Sequence, residues 1–165
     1  MKINKLDKLF NYYILDLFCK KYNITKDIAI NNPADNFRLL CFRMNYFIKN
    51  IPLPKFKKIS LYEAVFIEFR IFPHVEFLIR NTIHKLGSRW SHTIICGNSN
   101  YTLIESICKS ISPNINIIKI DVDNMTQTEY SRFLTTREFW NLLKGEKILI
   151  YQEDSIIFKN NIQKF

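Results

Sequence analysis

The sequence predicts an α/β fold: a mainly parallel, doubly wound sheet with flanking helices and a helical N-terminal extension. Three observations predict it. Short β-rich apolar runs alternate with amphipathic stretches from Ser60 onward. Before residue 50 the apolar residues recur instead at three- and four-residue spacing. The run Gly145–Ser155 reads as a tight turn, an apolar strand and an acidic end, the form of a parallel strand reaching a ligand edge.

In the extension, Leu6, Leu9, Phe10, Tyr13, Ile14 and Leu17 mark one helical face. Asn31-Asn32-Pro33 breaks the pattern. A second amphipathic segment runs from about Ala34 to Ile48, with Phe37, Leu40, Cys41, Met44 and Phe47 on one face. Pro52 and Pro54 end it and stiffen the link. Residues 1–58 therefore form a helical extension with no recognisable chemistry of its own, and 59–165 form the α/β domain. In that domain Ala64–Arg70 reads as a strand and Val75–Leu86 as a helix closed by Gly87. His92–Cys96 is a second strand, ended by Gly97-Asn98. Asn100 could cap a helix reaching about Ser110. Ile115–Ile120 is a third strand, Thr126–Lys144 is helical in two pieces, and Lys147–Tyr151 is the fourth strand. Right-handed crossovers make the sheet parallel, with the first and last strands adjacent.

Composition narrows the function. With 165 residues, 47% hydrophobic and 15% aromatic, the chain can build a real core. Only 3 glycines are present, and neither a Walker nor a dinucleotide-binding fingerprint occurs. The net charge of +9 suits anionic partners, but its Lys and Arg residues are dispersed, which argues against nucleic acid. Cys19, Cys41, Cys96 and Cys108 show neither C-x-x-C nor zinc spacing. They read as reduced core thiols of a cytoplasmic protein. No transmembrane segment is predicted: the apolar stretch Phe10–Cys19 is short and interrupted by Asp16.

Candidate chemistry gathers at the strand ends. Glu153 and Asp154 could hold a divalent cation, and the cation a diphosphate. Glu153 alternates to the other face of an extended strand and is the weaker ligand. Glu68 and Arg70 share a face of the first strand. Arg70 could bind a phosphate or simply pair with Glu68. Asn98 and Asn100 could meet a base or serve turn and cap chemistry. Among the histidines, His74 alone follows a strand end.

Four stretches carry a family resemblance. They are Glu68–Phe77 with Arg80–Ile83, Trp90–Asn98, Tyr130–Leu134 through Glu138–Trp140, and Gly145–Lys147 through Gln152–Ser155. Together they span roughly 62–160. In order and spacing they resemble a widespread, poorly characterised domain family that looks like the GT-A glycosyltransferases. The resemblance implies a Rossmann-like, nucleotide-sugar-binding half whose fourth strand ends in a variant of the Asp-x-Asp motif, here Gln152-Glu153-Asp154. It implies manganese or magnesium on Asp154, against the donor diphosphate. Gln152 would contact ribose or a metal-bound water. Glu68, Arg70, Asn98 and Arg132 would complete the donor site, although a surface role suits Arg132 equally.

The same resemblance implies that an acceptor site, for a glycan or a protein, would come from a segment after the Asp-x-Asp strand. The chain reads as truncated there, with only Ile156–Phe165 remaining, so a partner chain or a missing C-terminal half is expected. No general base can be assigned. Two other classes remain: a non-catalytic remnant acting as an interaction module, and a basic nucleic-acid binder.

Overall fold

The computed structural model describes residues 5–160, with side chains from Leu9 onward. The side chain of Leu6 and residues 161–165 lie outside what is described.

Three helices open the chain: α1 (Lys5–Tyr22), α2 (Lys26–Asn31) and α3 (Pro33–Ile48). The expected break at Asn31-Asn32-Pro33 is a helix start. The Asn32 side chain accepts the Ala34 and Asp35 amides, and Pro33 occupies the first helical position, where no amide is needed. α3 is gripped from two sides, unlike the single face expected. Cys41, Ile48, Phe37 and Met44 pack toward the sheet domain, and Phe42 and Leu39 toward α1. Leu40 and Phe47 are left about half exposed. In α1 the buried stripe is Ile14 and Phe18, while Leu9 and Tyr13 face out.

The α/β part follows as β1 (Tyr62–Ile67), α4 (Val75–Leu86), β2 (Trp90–Cys96), α5 (Tyr101–Ile111), β3 (Asn116–Lys119), α6 (Gln127–Leu134), α7 (Arg137–Leu142) and β4 (Lys147–Tyr151). The sheet is wholly parallel, in the order β3-β2-β1-β4. β1 ends at Ile67, short of the expected Arg70. There the Glu68 side chain takes the amides of Phe69 and Arg70 and turns the backbone out of the ladder.

Side chains alternate across the sheet. Ala64, Phe66, Ile94 and Cys96 face α4, α5 and α3. Val65, Ile67 and Ile95 face α6 and α7 through Phe139 and Phe133. The crossovers through α4 and α5 therefore cover one face, and the return through α6 and α7 covers the other. This is a Rossmann-like arrangement whose direction of winding reverses between β1 and β4.

The amino end of the sheet is held by a buried carboxylate. Glu63 accepts the Thr93 hydroxyl, and the amides of Lys144 at 2.7 Å and Gly145 at 2.6 Å. Gly145 is needed because a Cβ there would sit 2.6 Å from Glu63 Cβ.

Candidate functional site

Parallel strands bring their carboxyl ends to one edge, and a crevice opens where the winding reverses. Here that crevice lies between the ends of β1 and β4, with a volume of about 440 Å³. Its walls are Ile67–Arg70 after β1, Asn124 and Met125 before α6, Gln127, Tyr130 and Ser131 on α6, and Gln152 after β4.

Arg70 is the fixed cation of this cleft. Its Nε donates to Glu68 Oε1 at 2.8 Å and its Nη2 to Oε2 at 2.9 Å. The guanidinium also lies 4.7 Å from the Phe72 ring centroid. Glu68 is buried, whereas the Arg70 side chain is 49% exposed. Glu68 thus holds the guanidinium fork in place, and Nη1 carries no hydrogen bond among the described residues. The pair is internal, as one of the two sequence readings had it, and still presents a charged donor to the cleft.

Asn100 fixes the same loop from β2. Its side chain donates to the carbonyls of Glu68 at 2.7 Å and Arg70 at 3.1 Å, and accepts the Gly97 amide at 2.9 Å. It heads α5 without capping it. Next to it, Gly97 passes so close to the β3 connection that a Cβ would sit 2.4 Å from the Val122 carbonyl oxygen. Asn98 stands apart from the cleft lining, where its amide donates to Asp121 Oδ1 at 2.9 Å.

On α6, Gln127, Tyr130 and Ser131 share the face turned to the cleft. Arg132 is one position further round the helix and is exposed outside the lining. Burial raises the Tyr130 hydroxyl above its usual range, a bond with Gln152 opposes this, and the charges of Glu68 and Asp154 add to the rise. Tyr130 therefore stands where all three of those groups act.

The strand-end motif is a turn just past β4, closed by the Ser155 amide on the Gln152 carbonyl at 3.1 Å. Gln152 continues the face of Ile150 and enters the cleft. Glu153 continues the face of Tyr151 and is buried on the α3–α4 side. It meets Arg38 Nη2 at 2.6 Å and the His74 ring at 3.4 Å. Burial alone would raise this carboxyl, but His74 and Arg38 outweigh burial and hold it at about 2. Asp154 is exposed and accepts the Ser155 hydroxyl at 3.2 Å.

Among the described residues no three His, Cys, Asp or Glu side chains form a metal-ligand set. Glu68 and Glu153 are committed to arginines. Asp154 is left as a single carboxylate beside the cleft. One carboxylate suits an ion whose remaining ligands are phosphate oxygens and water, the usual habit of magnesium.

Of the expected donor residues, the structure brings Glu68, Arg70 and Gln152 to one cleft, sets Asp154 beside it, and leaves Asn98 and Arg132 outside its walls. Sequence reasoning missed Arg38, because nothing in its local pattern beyond Asp35 three residues earlier marks it as more than a helix-surface cation.

The model of a family described as a protein of unknown function (DUF5672) matches residues 114–165. That segment is less than half of the chain and holds β3, α6, α7, β4 and the Gln152-Glu153-Asp154 turn. No curated protein and no solved structure matches the chain. Among the described residues no helix is long and apolar enough to cross a membrane.

Proposed function

We propose that the chain is a nucleotide-sugar-binding domain of glycosyltransferase type, taking its donor in the cleft between β1 and β4. The observation that carries this reading is the position of that cleft at the reversal of winding, with the Arg70 fork held open to it by Glu68. Arg70 would take a donor phosphate through its free Nη1 edge. Gln152, with an amide that both donates and accepts, would take the ribose hydroxyls. Tyr130 offers a ring wall and a hydroxyl to the same ligand. Asp154 would hold a divalent cation shared with the donor diphosphate. The cation would supply neutralisation of charge on the departing nucleoside diphosphate. The free thiols fit a reducing, cytoplasmic setting.

Calorimetric titration with uridine and guanosine diphosphates, with and without manganese, tests this reading. Affinity on the order of 0.1–1 mM is expected for an open cleft with few convergent contacts. A folded sample that gives no heat with either nucleotide, in the presence of manganese, rejects it.

A second reading, a protein-interaction module, is favoured by one observation. Leu9, Tyr12 and Tyr13 of α1 and Phe47 of α3 are each at least half exposed. Sedimentation showing a stable complex or self-association that is lost on replacing Tyr13 and Phe47 by Ser would support it.

A further inference from the structure

Glu153 stands between two residues of the proposed donor site, yet its side chain is turned away from the cleft, and every oxygen it has is held. Arg38 donates Nη2 to Oε1 at 2.6 Å and Nε to Oε2 at 3.2 Å. The His74 ring, fully buried, lies with Nε2 at 3.0 Å from the Glu153 carbonyl oxygen. A carbonyl only accepts, so Nε2 carries the hydrogen. On its other side His74 Nδ1 meets the Tyr22 hydroxyl at 2.5 Å. Arg38 is itself aligned by Asp35, whose Oδ1 accepts Nη1 at 3.1 Å.

These groups come from four places in the chain. Tyr22 closes α1, Arg38 lies on α3, His74 precedes α4 and Glu153 follows β4. A charge pair that served only to neutralise the core would leave the backbone carbonyl free. Here the carbonyl and both carboxylate oxygens are fixed together, which sets both the peptide plane and the side-chain direction of Glu153. Glu153 is the second residue of a turn closed by the Ser155 amide on the Gln152 carbonyl at 3.1 Å, so fixing Glu153 toward α3 fixes the turn that sets Gln152 in the cleft lining. The arrangement also reaches the other wall. Phe72 lies beneath two guanidinium groups, 4.8 Å from Arg38 and 4.7 Å from Arg70.

We propose that Arg38 is a positioning residue of the donor cleft, so that the N-terminal helices are part of the binding site and not a separate cap. The proposal rests on the donor-cleft reading above. Arg38 is not among the residues that line the cleft. It acts by holding Glu153, and through it the direction of Gln152 and Asp154. An arginine is needed because the contact is a planar fork on a carboxylate, which a lysine ammonium cannot reproduce.

The test uses the full chain and the variants Arg38→Met and Arg38→Lys, below the melting temperature of each. Uridine diphosphate affinity is measured by calorimetry, and amide hydrogen exchange is followed at residues 152–155. Arg38→Met is expected to weaken binding about 10-fold, as the loss of partners that orient ligand-binding groups does. It should also speed exchange at 152–155 more than in the sheet. Arg38→Lys should fall between Met and wild type in both measurements. If Arg38→Met does not fold, Arg38→Lys carries the test, and wild-type affinity with unchanged exchange in that variant overturns the proposal. If wild type binds and a folded Arg38→Met binds equally well, positioning by Arg38 is wrong and the donor cleft stands. If wild type itself binds neither uridine nor guanosine diphosphate, the cleft reading fails and this proposal with it.

Discussion

The Arg38 guanidinium on α3 and the Glu153 carboxylate after β4 meet at 2.6 Å across 115 residues of chain. The contact joins the helical N-terminus to the strand-end turn. Glu153 is nearly buried, with 9% of its side chain exposed, and Arg38 retains 20%. Removing the arginine alone leaves the buried Glu153 carboxylate only the longer contacts to His74 at 3.4 Å and Arg70 at 3.8 Å, whereas removing both leaves Asp35 alone without its arginine. Arg38→Met should therefore lower stability by about 2–3 kcal/mol, and Arg38→Met with Glu153→Leu should recover part of that loss. Urea titration of the two single variants and the double variant gives the coupling. Additive losses would show that the pair contributes nothing specific.

Arg70 and Asp154 should differ in how their loss depends on metal. In the proposed donor site Arg70 would reach a phosphate directly, so Arg70→Ala should weaken nucleoside diphosphate binding about 10-fold with or without manganese. Asp154 would reach it only through a cation, so Asp154→Ala should abolish the manganese-dependent gain and leave metal-free binding unchanged. Equal manganese dependence in wild type and Asp154→Ala would show that the carboxylate is only an exposed turn residue.

Asn100 makes three backbone contacts from a buried position, to the carbonyls of Glu68 and Arg70 and the amide of Gly97. Asn100→Ala leaves those groups unpaired and should lower stability by about 2–3 kcal/mol. Asn100→Asp should be worse, because a carboxylate oxygen then faces two carbonyls. Thermal unfolding ranks the three proteins, and an Asp variant as stable as wild type would contradict the assignment.

His92 should set the acid limb of stability. It is fully buried on β2 against the Phe56 ring, and neither ring nitrogen has a hydrogen-bond partner among the described residues. Burial lowers it from 6.5 to about 3. As pH falls below 6.5 the unfolded chain takes up a proton that the folded chain refuses. Stability from this group is complete above 6.5 and is lost as pH falls toward 3. The loss amounts to roughly 5 kcal/mol at its limit. His92→Leu should flatten the curve between those values without lowering stability at pH 7. Urea midpoints measured from pH 8 to pH 3.5 check this, and parallel curves for the two proteins would refute it.

The sequence by itself determined the architecture. Each strand is a β-rich apolar run, each helix an amphipathic stretch with its own stop signal, and short connections leave parallel winding as the solution. The four parallel strands, the adjacency of β1 and β4, and the helix Val75–Leu86 follow from local pattern and crossover handedness. Glu68, Arg70 and Gln152 were legible because strand ends converge in any parallel sheet. Tertiary structure alone decided the rest. Arg132 misses the cleft by one step of helical rotation, and Asn98 is taken by Asp121 across the β2–β3 edge. Arg38 meets Glu153 only because α3 packs against α4 and reaches a turn far along the chain. Local sequence encodes periodicity and termini, but the partner of a long side chain is fixed by packing between elements distant in sequence, and that information appears only when the chain is folded.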